Sequence, residues 1–286
     1  MKITTLFLSL LITIAAMSQE KIKLYPNGAT ESNELASAER LSDSEFLIDI
    51  SEARMLAFPA DKAKANGAAV LICPGGGYRG VSHIKEGEEF AHWFNEMGIS
   101  AFVLYYRMPN GHHTIPLKDA QTAFSIIRSR SKEWNIKKNK IGIMGFSAGG
   151  HLASTFGTHF KTKNERPAFM MLAYPVVSMD QAITHGGSRL NLLGKTPSDE
   201  LVKLYSNELQ ITKKTPPTFI VHAKDDGAVP IANSENLEKA LKAHNVPVKL
   251  VPYDKGGHGF GMRKKNIPAD NWPEELRSWM KEMGII

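Results

Sequence analysis

The sequence predicts an α/β fold: a mostly parallel central sheet with helices on both faces and a short cap-like insertion. Two observations predict it. Short, wholly apolar runs alternate with stretches whose apolar residues recur at helical spacing, and most of the runs stop at a turn rich in glycine or proline. One polar, irregular stretch, residues 178–214, breaks that alternation and reads as the insertion.

Taken in order, residues 68–72 (AAVLI) form the first clear strand, buried on both faces and stopped by Pro74. Residues 86–97 read as a helix, with Phe90, Ala91, Trp93 and Phe94 at its spacing, acids in the first turn and Gly98 just past the end. A strand over 101–105 and a helix over 117–130 follow, the latter carrying Ala120, Ala123, Ile126 and Ile127 on one face. The strand at 141–145 runs directly into a helix over 148–156, and 168–173 is the next strand. Inside the insertion the pattern supports a helix over 199–209. Beyond it come a strand at 218–222, a helix at 231–243, a strand at 248–252 and a closing helix at 271–283. Residues 19–66 precede the first clear unit and are expected to add antiparallel edge strands.

The first eighteen residues read as a removable leader. Lys2 supplies a basic start, residues 3–16 are almost unbroken apolar, and Ala16 and Ser18 are the small residues a signal peptidase reads, so cleavage would leave Gln19 first. The run falls short of the ~20 residues a membrane span needs. An exported protein, periplasmic or secreted, with one domain over 19–286 is the expectation.

Hydrophobic residues at 42% and charged residues at 22% exclude a disordered chain. The formal charge of +6, or +5 without Lys2, is scattered rather than gathered in a stripe, which argues against a nucleic-acid partner. Cys73 is the only cysteine, so no intramolecular disulfide can form. No Cys/His cluster has metal-ligand spacing, and no metal or organic cofactor is expected.

The chemistry is concentrated in four loops. GFSAGG, residues 145–150, joins a strand to a helix and matches G-x-S-x-G in the context that gives the pattern meaning, making Ser147 the candidate nucleophile. A serine hydroxyl needs an adjacent base, and the base an orienting acid. His258, in GGHGFG after the last strand, is the candidate base; His112, His113, His159 and His244 lie in polar sequence and are expected to be solvated. HAKDDGAVP offers two acids at a strand end. Adjacent side chains point apart, so Asp225 and Asp226 cannot serve alike, and Asp226, nearer the next helix, is preferred; the other would cap backbone N–H groups or face water. Gly75-Gly76-Gly77 follows the first strand, where bare N–H groups of Gly76 or Gly77, with that of Ala148, could form an oxyanion hole. A phosphate cradle would demand Lys-Ser/Thr after the glycines, and Tyr78-Arg79 stands there instead. Tyr78, His83, His151 and Phe260 are the candidate substrate contacts.

With these pieces placed, the chain resembles the esterase branch of the α/β-hydrolase superfamily, and within it the secreted bacterial carbohydrate esterases of the acetylxylan and feruloyl kind. CPGGGY, GFSAGGHLA, GSRLNLLG, TPPTFIVHAKDDGAVP and GGHGFG carry the likeness. Hormone-sensitive-lipase-like relatives read His-Gly-Gly-Gly at the oxyanion loop, and Pro74 stands where that His would be. The resemblance implies an α/β-hydrolase fold, no cofactor and an acylated carbohydrate as substrate. The expected function is therefore removal of acetyl or related acyl groups through an acyl-enzyme. A serine peptidase of the prolyl-oligopeptidase kind shares the chain order Ser, acid, His. From a different class comes a hydrolase fold that has lapsed into glycan binding.

Overall fold

The computed structural model describes residues 19–286; the expected leader, 1–18, lies outside them. Strands β1 (Glu20–Lys23), β2 (Arg40–Asp43), β3 (Phe46–Ile48) and β4 (Arg54–Phe58) come first, followed by β5 (Ala69–Cys73), β6 (Gly80–Ser82) and helix α1 (Glu89–Glu96). Alternation then sets in with β7 (Ser100–Tyr105), α2 (Ile115–Ser129), β8 (Ile141–Phe146), α3 (Ser147–Thr158) and β9 (Met170–Ala173). The insertion holds α4 (Gly186–Leu193) and α5 (Asp199–Tyr205), and the chain ends with β10 (Thr218–Ala223), α6 (Ala232–Ala243), β11 (Val248–Tyr253) and α7 (Trp272–Glu282).

The large sheet runs β1-β4-β7-β5-β8-β9-β10-β11. From β7 to β11 the pairing is parallel, while β4 and β1 add the antiparallel edge expected of the N-terminal segment. β2, β3 and β6 pair in a separate small sheet. β5, β7, β8, β9 and β10 are buried along their whole length, which is why each reads as an unbroken apolar run instead of an alternating one. β5 lies between β7 and β8, so the chain leaves β5 to one side and returns to the other. That reversal opens a crevice beyond the carboxyl ends of β5 and β8, the usual ligand position in such sheets. Cys73 and Gly145 are register partners at its base.

Three local departures from expectation have physical causes. The helix expected from Glu86 opens as a wide π turn, Ile84–Glu88, before α1 begins; the turn carries Glu86 inward, where it is buried. The helix expected over 199–209 breaks at Ser206, whose Oγ donates to Val202 O at 2.8 Å and accepts the Met179 N–H at 3.0 Å, and a short 3-10 turn, Asn207–Leu209, follows. Most histidines are not solvated: only His92 and His244 are exposed, and His112, His113 and His159 are half-buried. His113 and His159 pack against the Tyr205 ring, with centroids 5.1 and 6.0 Å away.

Past the end of β7, Arg107 and Asp119 form an ion pair with side chains 2% and 0% exposed. Arg107 Nε lies 3.1 and 3.0 Å from the two carboxylate oxygens, and the Arg107 N–H and Tyr25 hydroxyl each donate to the same carboxylate at 2.9 Å. The pair ties the N-terminal segment to α2 and β7. Removing one partner of a buried pair strands the other charge and costs about 3–5 kcal/mol. Asp119→Ala is therefore expected to lower unfolding free energy by that amount in urea titration, and Arg107→Met with Asp119→Leu to recover much of it. A single-variant cost below about 1 kcal/mol would contradict the tie.

Candidate active site

β8 ends at Phe146, and the chain turns into α3 through Ser147, which sits at φ +51°, a left-handed conformation rarely taken by residues other than glycine. The turn is tight because α3 lies directly on β5. A Cβ on Gly149 would stand 2.1 Å from Cys73 O and 2.4 Å from Pro74 O, so only glycine lets the helix approach. The turn aims the serine Oγ into the crevice, where it lies 2.8 Å from His258 Nε2. His258 Nδ1 lies 2.7 Å from Asp226 Oδ2. A carboxylate only accepts, so Nδ1 carries the hydrogen, and Nε2 is left to accept from the serine hydroxyl.

Asp226 is fully provided with donors. Its Oδ1 accepts the N–H groups of Ala228 and Val229 at 2.8 Å each, and His222 Nε2 lies 3.2 Å from Oδ2. Burial pushes this carboxyl up, but the hydrogen bonds from His222, His258 and Val229 outweigh it and hold it well below its ordinary 3.8. Asp225, its neighbour, points elsewhere: its Oδ1 accepts the N–H groups of Gly256 and Gly257, both at 2.8 Å. The two acids of the DDG stretch thus divide the work. One meets the His258 ring and the other holds the backbone of the loop that carries it.

The glycine loop after β5 lies beside the serine. The Gly75 N–H is taken by Glu86 Oε2 at 2.8 Å. Among the described residues neither Gly76 nor Gly77 has a protein acceptor for its N–H. Ala148 lies in the first turn of α3, where no intrahelical acceptor exists for its N–H. Gly76, at φ +148°, passes so close to Gly80 O that a Cβ would stand 2.2 Å from it.

A scan of family models matches residues 56–241 to the one described as BD-FAE. The chain belongs to the BD-FAE family. Over 241 residues it is 38% identical to an acetylxylan esterase of Xylanibacter ruminicola, covering 83% of this chain and 50% of that protein. It is 37% identical over 206 residues to endo-1,4-beta-xylanase B of Butyrivibrio fibrisolvens, covering 67% and 32%. The chain therefore spans half or less of the length of these curated relatives. Among solved structures, an acetyl ester-xyloside bifunctional hydrolase from Caldicellulosiruptor lactoaceticus superposes with a TM-score of 0.80 at 35% identity, covering 93% of this chain and 97% of that one. The fold is that of the α/β-hydrolases, as the resemblance implied.

Within this BD-FAE chain the candidate substrate contacts fare differently from the residues of the serine turn. Tyr78 and Phe260 are each 2% exposed and His151 is 0%, so they present almost no surface to a ligand. His151 Nε2 lies 2.8 Å from the carbonyl of Tyr205 and so carries the hydrogen, leaving Nδ1 to accept the Tyr78 hydroxyl at 2.8 Å. Burial holds that imidazole down to about 4, which keeps it neutral. Phe260 packs edge-on to Tyr174, centroid to centroid 4.6 Å. His83 Nδ1 lies 3.2 Å from the Tyr105 hydroxyl and 3.3 Å from Glu88 Oε1. Sequence reasoning overlooked Glu86, Tyr174 and His222. Of these, only His222 had a signal, at the end of the strand that delivers Asp226.

The depressed carboxyl of Asp226 makes a signed prediction. A group whose folded pKa lies below its unfolded value stabilises the fold above the unfolded value, and the contribution is lost as pH falls toward the folded one. The stability gap between wild type and Asp226→Asn should shrink as pH falls below about 4. Urea titrations through that pH check it, and a gap that widens in acid would contradict the assignment.

Proposed function

We propose that the chain is a serine carboxylic ester hydrolase that removes acetyl or related acyl groups from polysaccharide or oligosaccharide. The observation that carries the reading is the unbroken contact Ser147 Oγ, His258, Asp226, at 2.8 and 2.7 Å, beside a loop with bare N–H groups. Ser147 attacks the ester carbonyl as His258 Nε2 takes its proton. The oxyanion is held by the N–H groups of Gly76 or Gly77 and Ala148, each such donor contributing about 3 kcal/mol to the transition state. His258 then protonates the departing sugar oxygen, leaving an acyl-enzyme. Water, deprotonated by the same imidazole, attacks the acyl carbon and releases the acid and free Ser147. Asp226 stays ionised throughout and fixes the ring's tautomer.

Membership of the BD-FAE family and likeness to an acetylxylan esterase support the carbohydrate ester as substrate. The leader read in residues 1–18 supports extracellular polymer or its fragments as the source of that ester. The lapsed binding module is disfavoured by a hydrogen-bonded serine held in a strained turn, since strain of this sort costs about 1–3 kcal/mol and serves no purpose in a mere glycan cradle.

The experiment is hydrolysis of 4-nitrophenyl acetate, butyrate and octanoate, methyl ferulate and acetylated xylan by wild type and Ser147→Ala. Acetate release from xylan by wild type is expected, with kcat lowered about 10⁵- to 10⁶-fold in the variant. No turnover of any ester, or a variant as fast as wild type, would sink the assignment.

A further inference from the structure

The insertion brings one more imidazole to the rim of the crevice. His185 precedes α4 and caps it: Nδ1 accepts the Ser188 N–H at 3.1 Å and lies 2.9 Å from Ser188 Oγ. A ring nitrogen that accepts a backbone N–H has no hydrogen of its own, so in the neutral ring the hydrogen is on Nε2. Among the described residues no protein acceptor meets that Nε2–H. Cε1, the ring atom next to it, lies 3.5 Å from where a Cβ on Gly77 would stand.

α4 is fixed in this place through Asn191, by side chain and by backbone. Asn191 Nδ2 donates to Gly77 O at 2.9 Å, and the Asn191 carbonyl accepts the Gly111 N–H at 2.9 Å. The ring therefore stands against the glycine loop at a set distance. Burial, and after it the charge of His258, lower the His185 pKa from 6.5, with Asp226 acting the other way. At neutral pH the ring is an uncharged donor. An uncharged N–H suits a hydroxyl oxygen, whereas a carboxylate or phosphate would call for Arg or Lys. The acyl oxygen already has its donors in the glycine loop and α3, so the acceptor left for His185 is on the alcohol half of the ester.

We propose that His185 is a substrate-contacting residue that donates its Nε2 hydrogen to a hydroxyl or ring oxygen of the acylated sugar. The proposal rests on the carbohydrate-ester reading above. It assigns to the insertion a direct part in choosing sugar esters over simple ones.

The test compares kcat/KM for acetylated xylo-oligosaccharide with kcat/KM for 4-nitrophenyl acetate, whose leaving group has no hydroxyl for the ring to meet. Two variants are used, His185→Ala and His185→Asp. Aspartate is a good N-cap, keeps an acceptor for the Ser188 N–H and has no hydrogen to donate at neutral pH, so it carries the test if the alanine variant folds poorly. The sugar-to-aryl ratio is expected to fall about tenfold in both, the size of one lost hydrogen bond. A ratio unchanged within about twofold, whether because both substrates slow together or because neither does, overturns the contact and leaves His185 a cap alone. Wild type that turns over the aryl acetate but releases no acetate from the oligosaccharide overturns the carbohydrate-ester reading itself, before any variant is compared.

Discussion

The approach of α3 to β5 is the constraint from which the rest of the site follows. Gly149 lies so close to the carbonyls of Cys73 and Pro74 that a methyl group there would overlap both, and Gly145 is as close to the carbonyl of Gly149. This packing draws the start of the helix down onto the strand ends and leaves Ser147 no conformation but the left-handed one. The strain is stabilised by its neighbours: the Ser147 carbonyl accepts the Val176 N–H at 3.0 Å, and Ser147 itself is 6% exposed. Because the strain is stored in the backbone, the Oγ is aimed before any substrate arrives. On the proposed mechanism, preorganisation of that sort is where the site would gain rate.

A second constraint joins the loops that this turn brings together. Glu86 is buried at 4% exposure, and a buried carboxylate is costly unless donors surround it. Its donors are the Gly75 N–H and the Tyr174 hydroxyl, each at 2.8 Å. Gly75 begins the glycine loop, and Tyr174 follows β9. The Tyr174 ring meets His258 edge-on, 5.1 Å between centroids, and also packs on Phe260. One side chain thus couples the loop beside the serine to the ring that would activate it. The π turn that carries Glu86 is the local cost of presenting it inward.

The parts of this structure that were legible in the sequence are those governed by period and by short-range turn chemistry. Fully buried strands announce themselves as apolar runs, and a Gly-flanked serine between strand and helix announces its turn. What stayed hidden depends on which way a side chain points after the chain has folded. Tyr78, His151 and Phe260 adjoin the loops in sequence, yet Tyr78 and His151 point at each other across the crevice wall and Phe260 turns into the core beside Trp272. Glu86 read as an acid in the first turn of a helix, where acids are commonplace. α4 was missed because it opens on two glycines, poor helix formers, and starts only because His185 accepts the Ser188 N–H. That Asp225 and Asp226 could not serve alike needed only the knowledge that neighbours diverge; which of them took the histidine turned on the position of the helix after β10.

The same hidden contacts decide what the insertion is. Tyr205, at the end of α5, accepts the His151 Nε2 hydrogen through its carbonyl, and its hydroxyl donates to the carbonyl of His113 at 3.1 Å. Its ring stacks on His151 at 6.2 Å and on His159 at 6.0 Å. His151 lies one turn along α3 from Ser147 and also accepts from Tyr78, the residue directly after the glycine loop. A chain of buried contacts therefore runs from the insertion through the serine's own helix to the loop of bare N–H groups, while Asn191 makes a second attachment from α4 to Gly77. An insertion tied at both places cannot swing as an independent flap without exposing a neutral, buried imidazole whose hydrogen bonds are all made within the fold. It is a fixed wall of the crevice, held at one end by the His151–Tyr205 contact and at the other by Asn191 on Gly77.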